Sequence, residues 1–105
     1  MGVRENRVTA TLDSYPAPNP NVRGRVIENE AVLVLPDRGQ VKVLNQVGAS
    51  IWQLADGTRT VREIAAVICA EYAVEQAEAE ADTLAFVAEL EGKGIISLSS
   101  HRIEA

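Results

Sequence analysis

The sequence predicts an α+β domain of winged-helix-like architecture, an antiparallel three-stranded sheet followed by three helices. Three observations carry this. Residues 22–44 hold three short runs with strand character, separated by tight turns. At Asn45 the apolar period changes from two to about 3.6. Two helix-start signals then follow within fifteen residues, at Asn45 and at Thr60-Val61-Arg62-Glu63.

In the first run Val22, Gly24 and Val26 alternate with Arg23 and Arg25, which predicts one buried and one wet face. Glu28-Asn29-Glu30 reads as a turn. Ala31-Val32-Leu33-Val34-Leu35 is apolar throughout, the pattern of a central strand covered on both faces. Pro36-Asp37-Arg38-Gly39 reads as a hairpin loop, with glycine available for positive φ. Gln40-Val41-Lys42-Val43-Leu44 alternates again. Loops this short make a meander, so the third strand lies at an edge unless the C-terminal segment covers it.

Asn45 is suited to cap a helix from Gln46 to Ala55, with Val47, Ile51, Leu54 and Ala55 on its apolar stripe and Trp52 beside them. Asp56-Gly57 ends it. The capping box at Thr60 and Glu63 opens a second helix, with Val61, Ile64, Ala65, Ile68 and Tyr72 on one face. A third helix is expected from Glu75 to Lys93, with Ala79, Thr83, Phe86, Val87 and Leu90 inward and Gly94 as its cap. The expected core includes Val32, Leu33, Val34, Ile51, Trp52, Ile64, Ile68, Phe86 and Leu90. Residues 22–98 make the domain. Residues 1–21, with the proline-rich Ser14-Tyr15-Pro16-Ala17-Pro18-Asn19-Pro20, are expected as a flexible N-terminal tail, and 99–105 as a polar C-terminal tail.

Composition excludes several functions. The 105 residues carry a net charge of −5, and an acidic surface repels phosphate backbones. One cysteine, Cys69, and one histidine, His101, rule out an internal disulfide and a zinc finger. No apolar run approaches a membrane span or a secretion signal, so the expected location is the cytoplasm. Cys69 has no base near it in the sequence and reads as a small core side chain. The serines Ser97, Ser99 and Ser100 lack a nucleophile-elbow motif, and no glycine loop is built to cradle phosphate. The carboxylates Glu75, Glu78, Glu80, Asp82, Glu89 and Glu91 read as a solvated face of the third helix. The expectation is a domain with no catalysis, cofactor or metal. A winged helix also suggests a DNA-binding regulator as the alternative. There the third helix is the reader, and it has six acids against Lys93 alone. What remains is binding of an extended peptide at the sheet edge, against an edge guarded only by Lys42.

The run Leu33-Val34-Leu35-Pro36, Gly39-Gln40-Val41-Lys42-Val43-Leu44-Asn45-Gln46-Val47-Gly48-Ala49-Ser50-Ile51-Trp52-Gln53-Leu54, Asp56-Gly57-Thr58-Arg59-Thr60-Val61-Arg62-Glu63-Ile64-Ala65 resembles the PqqD-like family. So do Ala81-Asp82-Thr83-Leu84-Ala85-Phe86-Val87-Ala88-Glu89-Leu90 and Gly94-Ile95-Ile96. The resemblance covers Arg23 to Leu98. It implies a non-catalytic peptide chaperone that binds the leader of a ribosomally made, later modified precursor peptide. The leader adds as a strand to the third strand, in the groove against the third helix. The implied partners are that leader and a modifying enzyme, either a radical SAM enzyme or a leader peptidase or cyclase, in pyrroloquinoline quinone, lasso peptide or other pathways. No cofactor, nucleic acid or membrane is implied, and a monomer is expected. By position the resemblance makes Val41, Lys42, Val43 and Leu44 the pairing edge. It makes Ala79, Asp82, Thr83, Phe86, Val87 and Leu90 the residues that line or support the groove. Thr83 stands where an aliphatic residue is usual in the family.

Overall fold

The computed structural model describes residues 9–35 and 38–103. In chain order it has β1 (Tyr15–Pro18), β2 (Arg23–Ile27), β3 (Glu30–Leu35), β4 (Gln40–Leu44), α1 (Gln46–Leu54), α2 (Val61–Tyr72), α3 (Gln76–Gly92) and β5 (Ile96–Ser99). The strands β2, β3 and β4 form an antiparallel sheet in that order, and the three helices follow it. The α+β class and the meander are as expected. Winged-helix-like fits only loosely, because the whole three-stranded sheet precedes the helices and a separate ribbon, β1–β5, joins segments from near the two ends of the chain.

Local chemistry accounts for each turn. Ile27 pairs with Glu30 across a two-residue loop, and Glu28 and Asn29 both take positive φ, 51° and 43°. That backbone matches the right-handed twist of a hairpin. Gly39 has φ of 60° in the next hairpin, as expected; Pro36 and Asp37 of that loop lie outside the described residues. The Asn45 side chain accepts from the Gly48 amide at 2.9 Å and caps α1. Thr60 and Glu63 form the capping box of α2 reciprocally, at 3.1 and 2.8 Å. Gly94, at φ 75°, lets the chain leave α3, and the Ile95 amide turns back to the Leu90 carbonyl at 2.9 Å.

The core lies between one face of the sheet and the helices. Ala31, Leu33, Leu35 and Leu44 meet Ile51, Ile64, Ile68, Val87, Leu90, Ile95 and Ile96 there. β3 is the middle strand, but it is covered on one face only: Leu33 is fully buried, Val32 half-buried and Val34 exposed. The reason is layering. The helices bury Ala31, Leu33 and Leu35, while the opposite face carries Val34 and, on β4, the exposed Val41 and Val43. Trp52 and Phe86 are likewise half-buried, packed against the core from its rim. All of β2 is exposed, so the buried face expected for it is absent, although Val22 just before it packs against the core from its rim. Gly24 serves another purpose, since a Cβ there would meet Trp52 Nε1 at 2.7 Å.

The expected N-terminal tail is corrected from residue 9 onward. Pro16 and Ala17 are buried, and β1 pairs with β5 from Tyr15↔Ser99 to Pro18↔Ile96. The amides of Val61 and Arg62 donate to the carbonyls of Ser14 and Leu12, both at 3.0 Å. The C-terminal segment is also held: the Ile103 amide donates to the Gly57 carbonyl at 2.8 Å. Proline-rich composition marked residues 14–20 as extended, and extended backbone is also what a ribbon strand needs. Cys69, expected as a buried side chain, is half-buried and donates its thiol to the Val74 carbonyl at 2.9 Å. No helix among the described residues is long and apolar enough to cross a membrane.

Two stability measurements check this packing. Leu90→Ala removes a fully buried side chain and is expected to cost about 2–5 kcal/mol in denaturant unfolding. Thr83 is 1% exposed and its hydroxyl has no hydrogen-bond partner among the described residues. Thr83→Val keeps the shape and removes the unpaired group, so it is expected to raise stability by about 1 kcal/mol.

Candidate functional site

β4 is an edge. Its inner neighbour is β3, and the C-terminal strand that might have covered the other side pairs with β1 instead. Side chains alternate along it: Val41 and Val43 stand on the outer face, 63% and 59% exposed, while Leu44 enters the core and Lys42 turns toward α3. An edge of this kind presents unpaired backbone donors and acceptors.

Facing it is a stripe of α3. Lys42 Nζ lies 3.7 Å from Glu89 Oε2, and Lys93 Nζ lies 3.1 Å from the same oxygen. One carboxylate thus sits between two ammonium groups. The hydrogen bond and charge of Lys93, and then the charge of Lys42, hold the Glu89 carboxyl below its ordinary range. This bridge marks the middle of the groove, with a cavity toward either end of β4. One, about 600 Å³, involves Arg38, Gln40, Val41, Lys42 and Lys93. The other, about 210 Å³, is lined by Asn45, Val47, Gly48, Ile51, Asp82 and Phe86. Gly48 permits the second: a Cβ there would come within 3.2 Å of Phe86 Cζ and 3.3 Å of Asn45 Oδ1.

The structure divides the expected site residues. Val41, Lys42, Val43 and Leu44 are on the edge strand, and Asp82 and Phe86 line the smaller cavity. Ala79, Thr83, Val87 and Leu90 are at most 1% exposed and belong to the core, where they support α3 rather than line the groove. The two sets are neighbouring helical stripes. Positions 79, 83, 87 and 90 form the core stripe, and 82, 86, 89 and 93 the groove stripe, about 100° apart per residue. Treating Phe86 and Val87 as one face merged them. Sequence reasoning missed Glu89 as a bridge, and Arg38, Lys93, Val47 and Gly48 as lining. The signal available was the spacing of 82, 86, 89 and 93, which is itself a helical repeat. Among the described residues no group of three or more His, Cys, Asp or Glu side chains is placed to hold a metal ion.

Sheet, helices and groove together define a class of small α+β domain, one with an open strand edge running beside a helix. Residues 30–96 match the model of the family described as coenzyme PQQ synthesis protein D (PqqD), and the chain belongs to that family. It is 33% identical over 90 residues to a PqqA binding protein of Xanthomonas oryzae pv. oryzae, covering 84% of this chain and 96% of the relative. Among solved structures it is similar to TbiB1 in complex with the TbiA(beta) leader peptide, with a TM-score of 0.72 and 31% identity, covering 77% of this chain and 94% of that one. It is similar also to the PqqD truncation of Methylobacterium extorquens PqqCD, described as a functional, stand-alone recognition element for ribosomally synthesised and post-translationally modified peptides. There the TM-score is 0.65 and the identity 31%, over 78% and 87% of the two chains.

The bridge predicts a titration. The folded Glu89 pKa is depressed, so its favourable contribution is present above the unfolded value, about 4.3, and is lost as pH falls through the folded one. In carboxyl-detected NMR, Lys93→Met is expected to move the Glu89 midpoint up, and Lys42→Met to move it up by less. Equal or reversed effects would contradict the geometry.

Proposed function

We propose that this chain is a non-catalytic leader-binding protein. It takes up the leader of a ribosomally made precursor peptide as an added strand along β4 and presents it to a modifying enzyme. The observation that carries the reading is the unpaired β4 edge lying along the groove stripe of α3. The supporting likeness is to a relative named for binding PqqA and to a structure solved with a leader peptide.

Strand addition supplies affinity through main-chain hydrogen bonds, and pockets for alternate side chains supply selectivity. Here an added strand would direct every second side chain toward α3. Its apolar side chains would meet Phe86, Val47 and Ile51, with Asp82 at the rim. The unit responsible is the three-stranded sheet and the three helices together with the β1–β5 ribbon that holds the last strand away from β4, acting in the cytoplasm as a monomer. It needs no cofactor, because it orients a peptide and leaves the chemistry to a partner enzyme, a radical SAM enzyme or a leader peptidase or cyclase. The DNA-binding alternative has no support in α3, whose Glu78, Glu80, Asp82, Glu89 and Glu91 would repel phosphate from a reading helix.

Ala79→Trp does not test this, since Ala79 is in the core and the bulk would disrupt packing. Phe86→Ala does. Synthetic PqqA-type and lasso-type leaders titrated into isotope-labelled protein are expected to shift amide signals of Val41 to Leu44, Asp82 and Phe86. Phe86→Ala is expected to weaken binding by about tenfold. Arg62→Ala, on α2 and paired with Asp13, is expected to leave affinity unchanged. Shifts confined to α1 and α2, or none with any leader, would refute the proposal.

A further inference from the structure

The two cavities of the groove differ in chemistry, and the difference specifies a ligand. The smaller is lined chiefly by apolar groups of Val47, Gly48, Ile51 and Phe86. The larger has Arg38, Lys42 and Lys93 in its wall beside Leu35, Val41 and Ile95, and among the described residues no carboxylate lines it. The whole chain holds 15 Asp and Glu against 10 Lys and Arg, so three cations around one cavity run against its overall balance. Glu89 answers two of them from the groove stripe, through Lys42 and Lys93. Among the described residues no carboxylate pairs with Arg38. Counted over the described residues, the cavity therefore keeps an excess of positive charge at the start of β4.

We infer that the groove reads a bipartite leader, with an apolar side chain for the Phe86 cavity and an acidic side chain for the Arg38–Lys42–Lys93 cavity, four positions apart. The inference rests on the strand-addition reading and gives it a substrate class. The spacing follows from the strand. The basic cavity involves Gln40 to Lys42 and the apolar one begins at Asn45, an offset of about four residues or 13 Å at the rise of a β-strand. An even spacing keeps both side chains on the face turned to α3, whereas an odd one sends one of them to the outer, Val41–Val43 face. An entering carboxylate competes with Glu89 for Lys42 and Lys93 and gives Arg38 a partner, in the fork geometry that guanidinium offers carboxylates.

The test is selection of a displayed library of random 12-residue peptides on the full chain at low salt. Enriched peptides are then resynthesised and measured by fluorescence anisotropy. The expected result is an apolar position with Asp or Glu enriched four places away. In the resynthesised peptides Glu→Gln is expected to weaken binding roughly two- to fivefold, with the loss shrinking at high salt. The acidic preference is expected to vanish with Arg38→Gln plus Lys93→Gln and to return with Arg38→Lys, while the apolar preference persists in every variant. Circular dichroism melts confirm that the variants fold. Peptides that shift the β4 amides and enrich only the apolar position overturn the acidic anchor while leaving strand addition intact. An acidic preference that survives the double variant also overturns it. If no selected peptide shifts the β4 amides, the strand-addition reading fails and this inference fails with it.

Discussion

The pairing of β5 with β1, rather than with β4, is the constraint on which the groove depends. Had the last strand continued the sheet, β4 would be an interior strand and no edge would face α3. The prolines of β1 help to fix the choice. Pro16 and Pro18 have no amide hydrogen, so β1 can donate from Tyr15 and Ala17, which point to one side of the strand. That side takes β5. The Pro16 carbonyl, on the other side, accepts from the Gly57 amide at 2.9 Å and anchors the ribbon to the turn after α1. At the other end of the ribbon Ile95 and Ile96 are both buried, and the Ile95 carbonyl accepts from the Asn19 amide at 3.0 Å. The chain leaves α3 already committed to the ribbon, and β4 stays open.

Much of this fold was legible because its signals are local. Asn45, the Thr60–Glu63 box, Gly39 and Gly94 act within a few residues of themselves, and each occupies the cap or turn that its chemistry suits. What was not legible depends on distant partners. An all-apolar run such as Ala31 to Leu35 does not say whether one layer or two will cover it, and here there is one. Residues 14–20 show their extended backbone but not the strand that they meet some eighty residues later. In α3, Ala79, Thr83 and Ala85 differ too little in hydrophobicity to separate the core stripe from the groove stripe. Phe86, a large apolar side chain outside the core stripe, therefore read as core. The family resemblance pointed to β4 and α3, and only packing divided the residues that face the groove between them from those in the core.

An open edge is a liability as well as a site. Val41 and Val43 expose more than half their surface beside unpaired backbone groups, a combination that invites another copy's edge. Three features oppose this. A net charge of −5 keeps copies apart. Lys42, at the centre of the strand, turns toward α3 and is held there by Glu89, so that a strand approaching β4 must settle against that charged pair. The groove is also bounded by α3, which admits a single extended chain more readily than the edge of a folded sheet with its own layer of helices. In the bridge that guards the edge Glu89 is exposed and Lys42 half-buried, and one carboxylate is shared between two lysines, so exchanging it for the carboxylate of the proposed peptide would cost little. A weak, exchangeable cover suits the strand addition proposed for this edge. A buried apolar cover would have to be displaced at the expense of its whole contact area, whereas an ion pair in water can be traded for another of the same kind.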